Sequence, residues 1–385
     1  MFDLTMVTGT TRAFGSPLRY IQGPGEFDNL PAYVKPYGTA CFLIDAFLFQ
    51  TLEQRLNEAY EGTGQQFIAL SCSGECCDEE VERVKAEARQ HGAGVFAGIG
   101  GGKTMDVAKL CADSAGLPLV IVPTSASTDA PVSEIAVVYQ AGGEYIGSRK
   151  MRRNAELVLV DSEIVAKAPR RLFIAGIGDA LATWLEARAC AGSDSPNYIG
   201  TGFRRCLAGM AVAQCCGEVL FADGRRALEA LDAGAVTEAL ENVIEANTLL
   251  SGLGFLNTGL ATAHGIHSGL TALECTHPYL HGEKVAFGVV CQLILENTPE
   301  AETDKIMRFM SEIGLPVTLE QLGTEVTPEN VRAIAKKTVE GALVHQEPFA
   351  VTEDTVYNAI FAADALGRKY RKGWEVQHEK SGSVC

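Results

Sequence analysis

Residues 94–116 read GVFAGIGGGKTMDVAKLCADSAG, and the order of residue types in this stretch decides the fold class. GVFAGIG (94–100) is an apolar run of strand length, and the residues after the glycines repeat apolar positions at helical spacing. Where the two meet stand Gly98, Gly100, Gly101 and Gly102. Glycines between a strand and a helix let the backbone approach a phosphate, whose charge then meets free N–H groups and the positive helix end. A tight turn that needs glycine only for its backbone angles would look the same. The segment misses both common phosphate fingerprints by one residue. In G-x-G-x-x-G, Lys103 stands in the place of the third glycine; in G-x-x-x-x-G-K-[ST], Gly102-Lys103-Thr104 fits but Ala97 stands in the place of the first. A nucleotide triphosphatase using Lys103 and Thr104 is therefore open beside a dinucleotide-binding turn.

The alternation extends to both sides. ACFLID (40–45), FIALSC (67–72) and LPLVIVPTS (117–125) read as buried strands, and FLFQTLEQRLNEAYEG (47–62) and DEEVERVKAEARQHG (78–92) as helices. IAVVYQAGGEYIGSRK (135–150) reads as a hairpin turning at Gly142-Gly143, and AELVLVD (155–161) as one more strand. This order predicts a parallel sheet with helices on its faces. After about residue 165, runs such as GDALATWLEARACAG and TEALENVIEANTLLSGLG carry helical periodicity with little strand signal. The expected division is an α/β dinucleotide-binding domain over 1–165 and an all-α domain over 166–385, with the active site in a cleft between them.

Composition narrows the function. A formal charge of −16 over 385 residues argues against nucleic-acid binding, which rests on neutralising phosphates. No apolar run reaches the ~18–20 residues of a membrane span, and MFDLTMVTGTTRAFGSP has no basic region followed by an apolar one, so no leader is expected. None of the 12 cysteines forms a C-x-x-C pair, and the spacing of Cys72, Cys76 and Cys77 fits no zinc knuckle. A chain this long needs no disulfide framework, so a reducing cytoplasm is expected.

The histidines are clustered. Of 7 in the chain, His264, His267, His277 and His281 fall within 18 residues. His264 and His267 share a helix face, and His281 follows a break at Pro278. Imidazoles with a carboxylate and an open fourth position make a catalytic zinc site. Asp179, an acid opening the apolar helical run GDALATWLEA, is the best further ligand, although it would also serve as a helix N-cap. Asp45, at the end of the strand ACFLID, suits a ribose hydroxyl pair and disfavours a 2′-phosphate, unless it only caps a turn. PTSASTDAPVSE (123–134) offers hydroxyls and the Asp129 carboxylate, as a wall for cofactor and substrate or as a capped turn.

GIGGGKTMDVAK, PTSASTDAP, GIGDALATWLEARA and HGEKVAFG, in this order, closely resemble the glycerol dehydrogenase family of the iron-containing alcohol dehydrogenase superfamily. The resemblance runs from RYIQGPGEFDNL (19–30) almost to the C-terminus. It implies an N-terminal dinucleotide-binding α/β domain, a helical C-terminal domain, and NAD-linked, metal-dependent oxidation of glycerol to dihydroxyacetone or of a related vicinal diol. Asp179, His264 and His281 would hold one Zn2+ per subunit, or another divalent metal, with His267 beside them as a catalytic relay. Gly100, Gly101, Gly102, Lys103, Thr104 and Asp106 would hold the NAD pyrophosphate and Asp45 the adenosine ribose. Thr124, Ser127, Ser133, Ile135 and Tyr139 would also contact NAD, and Asp129 would lie near the substrate hydroxyls. The superfamily's iron-dependent members carry a further histidine four residues after the metal-binding aspartate; Thr183 stands there, which favours zinc. Glycerol dehydrogenases usually read GFESGGL before the first metal histidine, whereas this chain reads GFLNTGL (254–260), with Leu256 at the glutamate position and Asn257 matching the wider superfamily. A further difference is Val132 in Pro131-Val132-Ser133. The resemblance also implies a homo-octamer, or at least a dimer, so a homo-oligomer is expected. Other readings are another NAD-linked alcohol dehydrogenase, a lyase resembling dehydroquinate synthase, for which Lys284 is the one evident basic residue near the histidines, and a silent NAD-binding sensor.

Overall fold

The computed structural model describes residues 9–200 and 202–381. Residues 1–8, where the stretch read for a leader begins, and Cys385 lie outside them. One compact unit takes Gly15–Pro169 and Glu229–Gly252; the other takes the described residues of 1–14, Arg170–Leu228 and Leu253–Cys385.

The first unit holds a parallel sheet of six strands: β1 (Tyr20–Gly23), β2 (Ala40–Asp45), β3 (Phe67–Cys72), β4 (Val95–Gly100), β5 (Leu119–Pro123) and, after the hairpin strands β6 (Ile135–Tyr139) and β7 (Tyr145–Lys150), β8 (Leu157–Asp161). The order is β1-β8-β5-β4-β2-β3, with every pairing parallel. Ala40, Cys41, Phe42, Leu43 and Ile44 are wholly buried because β2 lies between two neighbours and is covered on both faces. Besides a short helical turn at Leu30–Val34, three longer helices connect these strands: α1 (Phe49–Tyr60), α2 (Asp78–Gln90) and α3 (Gly102–Ala115). Leu52, Leu56 and Tyr60 of α1 pack on the core, the Tyr60 ring meeting Phe42 edge-on at 6.0 Å. From β2 the chain crosses to β3 on one side and then to β4 on the other. The strand order reverses between β2 and β4, and Asp45 and Gly100 end those two strands. Ligands of open parallel sheets bind at such a reversal.

β1 was not foreseen. YIQG is short and half polar, and it becomes a strand only by pairing with β8, Tyr20 opposite Val158 and Gly23 opposite Asp161. The sheet unit also claims Glu229–Gly252, a segment with plain helical periodicity. It contains α6 (Glu238–Glu245), following α4 (Arg170–Gly192) and α5 (Leu207–Asp232) in the chain, and a π-helical turn, Ala246–Leu250. Gln22 on β1 ties to α6 through the Glu241 carbonyl at 2.9 Å, and Tyr20 meets Thr248 at 2.8 Å.

The second unit is largely helical. After α4 and α5 come α7 (Ser251–Thr258), α8 (Thr262–Leu270), α9 (His281–Leu295), α10 (Glu300–Ile313), α11 (Pro328–Glu340) and α12 (Glu353–Ser381). Among the described residues no helix is long and apolar enough to cross a membrane. Glycines bring three of these helices together backbone to backbone. A Cβ on Gly282 would lie 1.8 Å from the Ala175 carbonyl oxygen, so α9 rests directly on α4; a Cβ on Gly288 would lie 2.2 Å from the Ala263 oxygen, so α9 also rests on α8. Asp179, His264 and His281 are within four residues or fewer of these contacts.

Candidate functional site

The helical unit gathers the three expected ligands. Asp179 Oδ1 lies 3.3 Å from His264 Nε2 and 3.2 Å from His281 Nε2, and one ligand atom of each residue falls within 4.8 Å of the others. Two donors each about 2.1 Å from one tetrahedral ion stand about 3.4 Å apart. Two imidazole nitrogens and a carboxylate oxygen at these distances suit a divalent ion that takes nitrogen and oxygen ligands. Asp179 is 1% exposed. Burial would raise its carboxyl, but the His281 and His264 rings hold it well below the usual carboxylate range. Burial works against a charged His264 too, yet Glu186 and Asp179 outweigh it and hold His264 well above its usual value. The site therefore attracts positive charge strongly.

Both metal-facing rings are fixed from behind. His264 Nδ1 donates to Glu186 Oε2 at 2.7 Å, leaving Nε2 for Asp179 and an ion. His281 Nδ1 lies 3.1 Å from His267 Nε2. Burial, reinforced by the neighbouring His281, Lys284 and His264, pushes His267 well below its ordinary pKa. His277 stands apart, its Nε2 3.3 Å from the Thr271 carbonyl. Lys284, the basic residue a lyase would need, is buried at 8% exposure. Glu186 was missed, although an acid seven residues after Asp179 in the same apolar helix carries the same signal.

In the sheet unit the glycine-rich turn is closed over by Asp45. Its Oδ2 accepts from Gly101 N at 2.8 Å and its Oδ1 from the Thr104 hydroxyl. Gly100 has φ 157°, and a Cβ there would lie 2.5 Å from the Asp45 carboxyl carbon, so only glycine allows the aspartate to fold over the turn. Lys103 Nζ pairs with Glu75 at 2.6 Å and lies 5.3 Å from the Tyr139 ring. Asp106 is turned inward: Oδ2 accepts from Val137 N at 2.9 Å, and Oδ1 meets Lys109 Nζ at 3.0 Å. Lys109, 1% exposed and also missed, donates to the carbonyls of Ala130 and Ile135, both at 2.8 Å, and lies 3.4 Å from Ser133 Oγ. Asp106, Ser133 and Ile135 are thus drawn into one buried network.

Residues 124–133 are held at both ends. Thr124 N donates to Gly100 O at 3.2 Å, and Ser127 meets Ser125 at 3.1 Å. Asn247 Nδ2, in the π-helical turn, donates to Ala126 O at 3.0 Å, and Ser251 Oγ donates to Asp129 Oδ2 at 2.8 Å. Such turns recur where a helix is distorted to serve a site. Cys72, Cys76 and Cys77 are buried and free, and the Asp179, His264 and His281 group is the metal-capable cluster among the described residues.

A parallel sheet with a glycine turn at its reversal, followed by helices carrying an Asp-His-His donor set, marks a metal-dependent alcohol dehydrogenase. Residues 17–162 match the iron-containing alcohol dehydrogenase family, and the chain belongs to that family of oxidoreductases. A glycerol dehydrogenase from Escherichia coli is 42% identical over 94% of this chain and 100% of its own length. A glycolaldehyde reductase from Halobacterium salinarum is 40% identical over 94% of this chain and 99% of its own. The solved structure of a probable glycerol dehydrogenase from Sinorhizobium meliloti superposes with a TM-score of 0.87 at 47% identity, covering 93% of this chain and 100% of that one. The expected fold class and enzyme class hold.

Proposed function

We propose that this enzyme oxidises glycerol to dihydroxyacetone, and related vicinal diols to their hydroxyketones, with NAD as hydride acceptor and one zinc ion per subunit. The observation that carries the proposal is the triad of Asp179 Oδ1, His264 Nε2 and His281 Nε2, which leaves a fourth position for a substrate hydroxyl. A divalent ion held there would lower the pKa of a substrate hydroxyl, and NAD would supply the hydride acceptor. The chain's own part is to orient. Asp179, His264 and His281 would hold the ion; Glu186 keeps the His264 proton on Nδ1. His267 Nε2 is engaged by His281 Nδ1, which supports a positioning role for His267 over that of a free relay. Thr183, in place of the extra histidine, supports zinc over iron.

Gly100, Gly101, Gly102, Lys103 and Thr104 are assigned to the pyrophosphate, with Asp45 moving from its present partners to the ribose. Thr124, Ser127 and Tyr139 are assigned to the rest of NAD, and Asp129 to the substrate hydroxyls. The inward bonds of Asp106, Ser133 and Ile135 support a framework role for those three. We also propose that the enzyme works in the cytoplasm, for which the free cysteines of the described residues are the support, and, on the family resemblance alone, that it is a homo-oligomer. A second reading, reduction of a short hydroxyaldehyde such as glycolaldehyde, is favoured by the Halobacterium relative.

NADH absorbance with glycerol, propane-1,2-diol and butane-2,3-diol, and NADH consumption with glycolaldehyde, rank these substrates. Turnover should vanish on chelation and in Asp179→Asn. Diol-independent behaviour of a chain that binds both NAD and zinc would overturn the polyol assignment.

A further inference from the structure

α8, which carries His264, begins at a residue that cannot cap it. The first N–H groups of a helix have no acceptor within it, and Ala261 at the N-cap offers no side-chain oxygen. The acceptors come from elsewhere in the same unit. Glu186 Oε1, on α4, accepts from Ala261 N at 2.8 Å and from His264 N at 2.9 Å. Glu347 Oε1 accepts from Thr262 N at 3.3 Å and from the Thr262 hydroxyl at 2.5 Å. Gln292 Oε1, on α9, accepts from Ala263 N at 3.1 Å. The positive end of α8 is therefore closed by side chains, two of them carboxylates. Glu186 differs from the other two because its second oxygen also reaches the His264 ring. It lies seven residues after Asp179, two turns along α4 on the same face, and is wholly buried.

We propose that Glu186 is a positioning residue for the metal centre. One oxygen sets the backbone of the first turn of α8, and the other sets the tautomer and ring orientation of His264, so that Nε2 alone is free for an ion. Since α4 carries both Asp179 and Glu186, one rigid helix supplies a ligand and aims another. A carboxylate behind a metal-bound imidazole also makes it a stronger ligand. The inference deepens the metal reading and rests on it.

Two variants of the full chain test it. Glu186→Gln keeps an oxygen for the two backbone N–H groups but turns an amide NH2 toward Nδ1–H, so two donors meet. Glu347→Gln keeps an acceptor for Thr262 and leaves His264 untouched. Zinc affinity is read by competition with a chromophoric chelator, the visible bands of the cobalt-loaded protein report ligand geometry, and thermal midpoints are taken on metal-free samples. Glu186→Gln should lose about 10–100-fold in zinc affinity and shift the cobalt bands, while Glu347→Gln changes affinity by less than about threefold. Neither variant should lose more than a few degrees in midpoint without metal. Unchanged affinity in Glu186→Gln overturns the proposal, and so does an equal loss in Glu347→Gln, which would make helix capping the whole effect. Where Glu186→Gln does not fold, Glu186→Asp withdraws the same charge by one methylene, and wild-type affinity there overturns it equally. A wild-type chain that binds no zinc overturns the metal reading and this inference together; wild-type zinc binding and glycerol turnover with an indifferent Glu186→Gln overturns this inference alone.

Discussion

Replacing Gly282 by alanine should pull two metal ligands apart while leaving every donor atom in the chain. The added Cβ would lie 1.8 Å from the Ala175 carbonyl oxygen and 2.6 Å from its carbon, both main-chain atoms that no rotamer change can move. A carbon settles against a carbonyl oxygen at about 3.3 Å, so α9 and α4 must separate by about 1.5 Å. Asp179 follows Gly178 on α4, whose own Cβ would lie 2.5 Å from the Gly282 oxygen, and His281 precedes Gly282. Carried to the site, that separation takes the 3.2 Å between Asp179 Oδ1 and His281 Nε2 to about 4.7 Å. Two donors on one zinc cannot stand more than about 4.2 Å apart. Overpacking of this kind costs about 1–3 kcal/mol, here toward the upper end because backbone blocks the way. The assay pairs the thermal midpoint of metal-free protein with zinc affinity by chelator competition. Gly147→Ala is the control, since a Cβ there meets nothing within 4 Å. Gly282→Ala should lose both stability and zinc. Lost stability with wild-type zinc affinity would refute the argument that this glycine contact sets the ligand spacing.

Three further outcomes are expected. Asp45→Asn removes the charge that disfavours a 2′-phosphate, so the ratio of kcat/KM for NAD over NADP should fall about tenfold, roughly 1.4 kcal/mol; an unchanged ratio would take Asp45 away from the ribose. Ser251→Ala deprives the buried Asp129 carboxylate of a donor at 2.8 Å and should cost about 1–3 kcal/mol in urea unfolding, with a lower kcat/KM for diols; full activity would free Asp129 from the substrate. Burial, reinforced by Glu296 and Glu186 against the pull of Thr262, lifts Glu347 to about 7 from 4.5. The folded chain thus holds this proton more tightly than the unfolded one, so the associated stability, at most about 3 kcal/mol, is complete below about pH 4.5 and is lost as pH rises through about 7. Glu347→Gln, neutral throughout, should flatten that slope in urea midpoints, and identical slopes in both proteins would count against it.

The sheet strands were legible because each is an apolar run bounded by glycine or a charged helix, and the observed ends of β2 and β3 coincide with the runs ACFLID and FIALSC. β1 was not, since YIQG has no pattern of its own and owes its conformation to β8. The helical period of residues 238–245 announced a helix but not its company, because periodicity says which face is apolar and nothing of what covers it. The metal donors stood out as three polar residues against apolar surroundings. Glu186 and Lys109 were hidden by the nature of their partners: Glu186 serves two backbone N–H groups as well as a ring, and Lys109 serves two carbonyls, and main-chain groups leave no mark in a sequence. Asp45, read from its place at the end of ACFLID, has a carboxylate that spans Gly101 and Thr104 across the turn, contacts its position in the sequence did not announce.

Lys109 has a mechanical consequence. Its single ammonium group joins the first turns of α3 to the carbonyl of Ala130, next to Asp129, and to the start of β6. The glycine turn, the acidic loop and the hairpin are therefore parts of one stiff body with a cation as its rivet. A change of shape at Gly100–Gly102 will, through α3 and that rivet, also be felt at Ala130 and the neighbouring Asp129, so the turn and the loop cannot be altered as separate parts.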